Sequence, residues 1–205
     1  MSGEFGAEYW ERVWNGGHGI ANMAAAPPHP RILSETAGLT PGSALDVGCG
    51  AGAEALALAQ AGWQVTGVDV SAQALAHAAE RAQAAGVQER TTWTEADATT
   101  WEPPQQYDLV LSCYAHAPIP QEELYERLSR WVAPGGRLLL IGHLHHHGDR
   151  PEEASTTAAQ AAERFSPEEW EVITSQEETR MLRRTEGAAV PLRDVILHLR
   201  RRSGG

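Results

Sequence analysis

The sequence is poor in cysteine and in basic residues, and it has no long apolar run. Only two cysteines, Cys49 and Cys113, occur in 205 residues, which favours thiols in a reducing compartment over a disulfide framework. No apolar run approaches the roughly 20 residues that cross a bilayer. The first residues have neither the basic start nor the apolar core of a signal peptide. We therefore expect a cytoplasmic protein with no membrane partner.

The charge balance is strongly acidic. There are 16 Lys and Arg residues against 27 Asp and Glu residues, a formal net charge of −11 at pH 7. Such a surface repels polyphosphate backbones, and we interpret the basic residues 200–202 as a solvated tail, so nucleic acid is not expected as a partner. The length suits one domain. We predict a single domain over residues 1–205, with N-terminal covering helices over 1–35 and the core over 36–205.

Short runs rich in Val, Leu and Ile alternate with helical patterns along the chain. This alternation predicts a doubly wound α/β fold with a mostly parallel sheet. The runs begin at Ser43, Gln64, Tyr107 and Gly136, and a weaker one begins at Thr91. Continuous apolar character, as in the runs that begin at Tyr107 and Gly136, is typical of strands buried on both faces.

Two further runs near the C-terminus, residues 171–184 and 190–201, are separated by only a few residues that include Gly187. Strands this close in sequence indicate an antiparallel hairpin. We therefore expect the parallel sheet to end in a C-terminal hairpin.

Capping residues delimit two of the helices. One is predicted between Ser71 as the N-cap and Gly86 in the C-cap position. Another begins near Gln121, presents Leu124, Leu128, Trp131 and Val132 on one face, and is expected to continue until Pro134 stops it.

A glycine-rich stretch, DVGCGAGAE, joins the first apolar run to an alanine-rich helix. Glycines let the backbone approach a ligand closely, and the start of a helix presents unpaired N–H groups. Gly48 and Gly50, with Asp69 as a ribose-binding acid, fit the dinucleotide fingerprint. An NAD-dependent oxidoreductase is therefore one interpretation of this stretch.

The charges around the same stretch favour a different ligand. Asp46 leads into the turn and Glu54 lies near the start of the following helix. Two carboxylates would repel a diphosphate, whereas they would attract a sulfonium or an ammonium group. A cationic, nucleotide-like ligand is therefore favoured over a dinucleotide.

The pattern D-V-G-C-G-A-G, followed by VTGVDVS, resembles the signature of S-adenosylmethionine-dependent methyltransferases with the Rossmann-like fold. The resemblance extends from roughly Trp10 to the last strand and implies a doubly wound, mostly parallel seven-stranded sheet with an antiparallel C-terminal hairpin. It also implies direct in-line methyl transfer from S-adenosyl-L-methionine to a small-molecule acceptor. The small size, YWERVW and RDVILHLRR are similar to the bacterial tellurite-resistance and thiopurine methyltransferases.

The acceptor stays open at this point. A soft sulfur, selenium or metalloid atom fits the resemblance, and oxygen and nitrogen remain alternatives. The fourth strand ends in SCYA and lacks the Asn/Asp-Pro-Pro-Tyr run of enzymes that methylate base amines, which disfavours DNA as the substrate. A protein that binds the cofactor without catalysis is a further alternative.

The resemblance implies cofactor contacts after each of the first three strands. Asp46 and the backbone of Gly48 and Gly50 would meet the methionine part of the cofactor, directly or through water, and Asp69 would accept both ribose hydroxyls. The expected cofactor-binding residues are Asp46, Gly48, Cys49, Gly50, Asp69, Val70, Asp97 and Ala98. Of these, Cys49 is a small residue that fits the turn, Val70 would flank the adenine, and Asp97 and the Ala98 backbone would meet its polar edge.

Acceptor contacts are expected after the fourth and fifth strands, because ligands of open parallel sheets lie outside the carboxyl ends of the strands. Tyr114, His116 and His143 occupy these positions, and each could orient or deprotonate an acceptor. A lining role without proton transfer is the alternative. Four histidines among residues 143–147 raise the question of a metal, but adjacent histidines do not all face one ion and no cysteine or acid completes a zinc spacing, so none is expected.

Overall fold

A computed structural model describes residues 5–16, 23–144, 156–182 and 190–204 of the chain. It contains a seven-stranded sheet in the order β3-β2-β1-β4-β5-β7-β6. The strands are β1 (Ser43–Val47), β2 (Gln64–Asp69), β3 (Thr91–Glu95), β4 (Tyr107–Cys113), β5 (Val132–His143), β6 (Trp170–Leu182) and β7 (Val190–Arg201). The first five strands are parallel, and β7 runs antiparallel between β5 and β6. The doubly wound sheet and its C-terminal hairpin are confirmed, while Gly187 lies outside the described residues.

Helices cover both faces of the sheet. They are α1 (Ala7–Trp14), α2 (Pro30–Thr36), α3 (Ala53–Gln60), α4 (Ala72–Ala84), α5 (Gln121–Ser129) and α6 (Ala158–Glu163), with a single 3-10 turn at Gln88–Arg90. Along β4, Leu109 and Leu111 pack into the core on the side of α2 and α3, whereas Val110 packs into the core on the side of α5. A central strand between two helical layers needs apolar residues at successive positions, which explains the continuous apolar run.

Three helix limits were predicted from the sequence. The start at Ser71 is confirmed, and the ends at Gly86 and Pro134 are wrong. Ser71 caps α4, because its Oγ accepts the Ala74 N–H at 3.2 Å. At the other end the C-cap is Ala85, and Gly86 follows it with φ of 69°. Helix α5 ends at Ser129, so Trp131 lies beyond the helix and Val132 begins β5, contrary to the prediction. Pro134 lies inside β5 at an irregularity in its pairing with β4. A proline is tolerated at such a place because no ladder N–H is required there.

None of the helices in the described ranges combines the length and the apolar character that a bilayer-spanning segment requires.

The carboxyl ends of β1, β2, β4 and β5 lie along one edge of the sheet. Because β1 and β4 are neighbours while the chain crosses over different faces on either side of them, a crevice opens at this edge. The antiparallel β7 brings its amino-terminal half to the same edge, where Asp194 pairs with His143 and Glu178 of β6 pairs with Asp194. Residues from the far C-terminus therefore join the wall of the crevice.

Replacing Leu109 by alanine tests the two-sided burial of β4. Leu109 has no exposed surface, so we expect Leu109→Ala to lower the free energy of unfolding by about 2–5 kcal/mol. Urea denaturation followed by circular dichroism measures the change. The matched control is Val172→Ala on the edge strand β6, where the side chain is 49% exposed and the loss should stay under about 1 kcal/mol. Equal losses in the two variants would contradict the described core.

Candidate functional site

A cavity of about 440 Å³ opens at the carboxyl edge of the sheet. Its wall consists of the segments that follow β1 to β4, together with α1, the chain before α2 and one residue of β6. Among the residues expected from the sequence, the wall contains Gly48, Cys49, Gly50, Asp69, Val70, Asp97, Ala98, Tyr114 and His116. Asp46 and His143 are not on the described wall. Nine of the eleven expected residues therefore line the same cavity.

The amide groups of the glycine turn are bonded to β2. The N–H groups of Gly48 and Cys49 donate to the Val68 carbonyl at 2.8 and 3.0 Å, and the Gly50 N–H donates to Asp69 Oδ2 at 2.9 Å. Gly48 has φ of 70°, and a Cβ there would lie 2.4 Å from the Ala115 Cβ. These three amides are thus already used by the protein and are not available to a phosphate.

Asp46 lies beneath the turn. Its side chain is 1% exposed, and Oδ2 accepts the Ala55 N–H in the first turn of α3 at 3.1 Å. Burial, and next the charge of Glu54, raise the pKa of Asp46 well above its usual range. The start of α3 is therefore occupied by a carboxyl group of the protein itself. Asp46 is not on the described cavity wall, and its contact with the methionine part of a cofactor, directly or through water, stays a prediction.

Asp69 ends β2 and reaches the cavity wall. Its Oδ1 accepts the Ser71 N–H at 2.9 Å, while its Oδ2 is bonded to Gly50. Burial raises the pKa of Asp69, and the backbone hydrogen bonds partly oppose that rise. Each carboxylate oxygen has two acceptor sites, so the group is fixed by backbone and can still accept hydroxyls of a ligand.

Asp97 and Glu54 add two more carboxylates to the wall. Asp97 Oδ1 accepts from both N and Oγ1 of Thr99, at 2.8 and 2.7 Å, and Oδ2 has no hydrogen-bond partner among the described residues. Glu54 Oε1 accepts the His29 N–H at 3.0 Å. The half of the cavity beside β1, β2 and β3 is therefore lined by acceptors, which suits hydroxyl, amino and cationic groups.

Helix α1 lies across the cavity. The Trp10 Nε1–H donates to the His116 carbonyl at 3.1 Å, and the Ser71 Oγ–H donates to Glu11 Oε2 at 2.6 Å. The hydrogen bond from Ser71 is the main reason that the pKa of Glu11 is lowered. Trp10 and Trp14 both belong to the wall. One helix thus bridges the ends of β2 and β4 and shields the cavity from solvent.

The opposite wall is organised by Asp194, which has no exposed surface. Its carboxylate accepts hydrogen bonds from His29 Nε2 at 3.1 Å, Tyr114 Oη at 2.8 Å and Arg180 Nε at 2.6 Å. His143 Nδ1 lies 3.6 Å away. Burial alone would raise the pKa of Asp194, but the hydrogen bonds from these four side chains hold it far below its usual range. The carboxylate is therefore ionised and fully matched by donors.

Tyr114 and His143 are both tied to the Asp194 wall. The Tyr114 hydroxyl donates to Asp194 and accepts from Arg180 Nη2 at 2.8 Å, and burial raises the pKa of Tyr114 well above its usual value. The His143 ring stacks on the Tyr114 ring with centroids 3.8 Å apart. Tyr114 is thus a bonded wall residue, and a role of either side chain towards an acceptor stays a prediction.

His116 is on the wall, and its hydrogen bonds define its tautomer. Gln121 Nε2 donates to the Ala115 carbonyl at 3.2 Å, which directs Gln121 Oε1 towards His116 Nδ1 at 3.0 Å. An amide oxygen only accepts, so Nδ1 carries the proton and the imidazole lone pair is on Nε2. Of the three expected catalytic residues, this one keeps the electronic requirement of a base.

No group of three or more His, Cys, Asp or Glu side chains within the described ranges is arranged to hold a metal ion. His145, His146 and His147 of the histidine run lie outside those ranges.

Sequence reasoning missed three residues of the Asp194 wall: His29, Arg180 and Asp194 itself. A signal was present for Asp194, because RDVILHL places a carboxylate inside a run of buried-strand character, and such a group requires partners. No comparable signal marks Arg180. Which arginine of the hairpin reaches the crevice depends on the register of its two strands, and the sequence does not define that register.

The fold and the carboxylate-lined turn are those expected of a Rossmann-like methyltransferase domain. Residues 44–136 match the family described as "Methyltransferase domain". The resemblance to S-adenosylmethionine-dependent methyltransferases that was drawn from the sequence is thereby confirmed.

Individual relatives agree with this assignment. The chain is 28% identical over 136 residues to "Probable thiol methyltransferase 2" of Arabidopsis thaliana, covering 64% of this chain and 60% of that protein. It is 35% identical over 109 residues to "Ubiquinone biosynthesis O-methyltransferase" of Klebsiella pneumoniae, covering 52% of this chain and 45% of the relative. The chain thus spans about half to three fifths of the length of these two relatives.

A solved structure extends the comparison of the fold over almost the whole chain. The N-methyltransferase NodS of Bradyrhizobium japonicum, in complex with S-adenosyl-L-homocysteine, superposes with a TM-score of 0.71. The match covers 95% of this chain and 97% of NodS at 16% identity. The two proteins therefore share their fold over almost the whole length of both chains.

The buried Asp46 should make the free energy of unfolding depend on pH, and the variant Asp46→Asn should lack this contribution. Its folded-state pKa is raised, so the folded chain holds a proton that the unfolded chain has released. That stabilisation is fully present below the unfolded-state pKa of about 4 and is lost as the pH rises through the folded-state value. We expect the free energy of unfolding of the wild type to fall relative to that of the variant as the pH rises from about 4. Urea denaturation at a series of pH values measures this, and a constant difference would contradict it.

Proposed function

We propose that this protein transfers the methyl group of S-adenosyl-L-methionine directly to a small-molecule acceptor. The observation that carries the proposal is the glycine turn, whose amides at Gly48, Cys49 and Gly50 are all used internally. Carboxylates fill the places where a diphosphate would bind, so the turn suits a donor that has a positive sulfur and no phosphate. An NAD-dependent oxidoreductase, the alternative from the sequence, is disfavoured for the same reason.

The donor would lie along the acceptor-rich half of the cavity. The turn at Gly48 and Gly50, with Cys49 as a small side chain, would meet the methionine part, as would Asp46, directly or through water. Asp69 would accept the two ribose hydroxyls through the oxygen sites that Gly50 and Ser71 leave available. Next to the adenine, Val70 would contact the ring, and Asp97 Oδ2 and the Ala98 backbone would meet its polar edge.

When it is bound, S-adenosyl-L-methionine supplies an electrophilic methyl carbon, which an acceptor lone pair attacks as the carbon–sulfur bond breaks and its electrons return to sulfur. The protein holds the two molecules in line and keeps water out with α1, an arrangement that is worth about 7–11 kcal/mol in well-oriented pairs. Where the acceptor carries a proton, the His116 Nε2 lone pair would accept it. Tyr114 would shape the wall without taking part in proton transfer.

The acceptor would be a small molecule, and sulfur is the first atom to test. Two relatives are described as a thiol methyltransferase and an O-methyltransferase, so thiols and phenols form the first panel. We further propose that residues 1–205 act as one domain with the N-terminal helices as its cover. A cytoplasmic location is supported by the two free cysteines, and nucleic acid is disfavoured by the acidic charge.

Calorimetric titration separates the proposed donor from a dinucleotide. We expect S-adenosyl-L-homocysteine to bind and NADH not to bind. Asp69→Asn should weaken the binding of S-adenosyl-L-homocysteine about tenfold to hundredfold, since a hydrogen bond to a charged group contributes about 1.5–3 kcal/mol. The control is Glu95→Gln, an exposed carboxylate that pairs with Asp69 in the sheet but lies off the cavity wall, and it should leave the affinity unchanged. Binding of NADH alone would refute the proposal.

The role of His116 is tested with two kinds of acceptor. We expect His116→Asn to lower the rate of methyl transfer to a phenol about 10²–10⁴-fold, because a positioned base contributes that much when a proton must leave. Transfer to a thiol above its own pKa should change little, since the thiolate needs no base. Transfer of a radiolabelled methyl group measures both rates. Equal losses for the two acceptors would assign His116 to acceptor orientation.

A further inference from the structure

Among the described residues, two arginines belong to the cavity wall, and the protein bonds them in different ways. Arg81 donates through Nη1 to the Ala51 carbonyl at 2.9 Å and through Nη2 to the Ala26 carbonyl at 3.1 Å. It fastens the chain before α2 to the glycine turn. Arg180 reaches the cavity from β6, and 33% of its side chain is exposed. Nothing in the proposed binding of the donor requires this second cation.

The guanidinium of Arg180 is hydrogen-bonded to the protein along one edge, and its adjacent edge faces no acceptor among the described residues. Nε donates to Asp194 Oδ2 and Nη2 donates to the Tyr114 hydroxyl, so the edge formed by these two nitrogens faces the protein. A guanidinium has five N–H donors in a fixed plane. The remaining donors, two on Nη1 and the second on Nη2, form the adjacent edge, and they have no acceptor in the part of the chain that the structure describes.

The position of that edge is fixed before any ligand binds. Asp194 is completely buried, and it is held in turn by His29 and Tyr114. The Arg180 Cζ lies 5.7 Å from the centre of the Tyr114 ring. A side chain that is held at one edge by an ion pair loses little further freedom when a ligand binds at the other.

We propose that the open edge of Arg180 binds a carboxylate of the methyl acceptor, so that the acceptor is a small organic acid; the inference rests on the proposed methyl transfer. Two parallel N–H donors match the two oxygens of a carboxylate, a geometry that neither a hydroxyl nor an amine reproduces. Arg180 then determines specificity and orients the acceptor, while the reacting atom of the acceptor faces the donor.

The distribution of charge assigns this carboxylate to the acceptor. Asp69 and Asp97 follow β2 and β3, at one end of the strand order, whereas Arg180 belongs to β6 at the other end. An anion in the cavity is repelled from the first end and attracted to the second. The ribose and adenine of the donor suit the acidic end, which leaves the Arg180 end for the other substrate.

The test compares matched ligands on protein that is saturated with S-adenosyl-L-homocysteine. Calorimetry measures the binding of 4-hydroxybenzoate against 4-hydroxybenzyl alcohol, and of mercaptoacetate against 2-mercaptoethanol. We expect the acid of each pair to bind the wild type at least about tenfold more tightly than its neutral partner, as a charge-assisted hydrogen bond implies. Arg180→Gln should abolish the preference. The control Arg193→Gln, on β7 with its guanidinium paired to Glu177, should keep it.

The outcomes separate this inference from the proposed function. If S-adenosyl-L-homocysteine does not bind the wild type, the methyltransferase proposal fails at that step. If it binds but neither acid binds more tightly than its neutral partner, the assignment of Arg180 to an acidic acceptor is overturned. It is also overturned if Arg180→Gln weakens S-adenosyl-L-homocysteine as strongly as the acids, because Arg180 would then hold the donor. Should the variant not fold, the comparison of each pair on the wild type decides.

Discussion

A fully buried carboxylate is the constraint on which the crevice depends. Asp194 remains ionised inside the protein only because donors from four separate segments converge on it, and an unmatched charge in such a place is strongly destabilising. The donors belong to the chain before α2 and to the ends of β4, β5 and β6. The same hydrogen bonds therefore hold the hairpin against the sheet and build the cavity wall. The positive φ of Tyr114, 59°, is a local strain that such a network can hold in place.

The two halves of the cavity have opposite chemistry. Around β1 to β3, carboxylates present acceptors to a ligand, and the amides of the glycine turn are already bonded to β2. On the side of β6 and β7, the protein presents a tyrosine and an arginine whose donors are already partly organised. Under the proposed function, the cationic donor would lie in the first half and the acceptor would approach it from the second. The closing helix α1 joins the halves through Trp10 and Glu11.

The fold followed from the sequence where the physical signal was local. Continuous apolar runs marked strands between two helical layers, and the glycine turn with Asp69 marked the site. The sequence did not reveal that Asp46 is covered by its own turn, since that depends on how Ala55 and the start of α3 close over it. Pro134 was misassigned because a break in the pairing of two strands, which removes the need for an N–H, has no sequence signal. The position of Arg180 at the cavity could not be predicted, because it depends on the register of the hairpin and no local pattern defines that register.

The methyltransferase family match ends at residue 136, before the strands that carry the arginine and the buried carboxylate. The matched segment contains the glycine turn, Asp69 and Asp97, whereas Arg180 and Asp194 lie beyond it. Under the proposed function, the recognition of the donor and that of the acceptor would therefore be encoded in separate stretches of the chain.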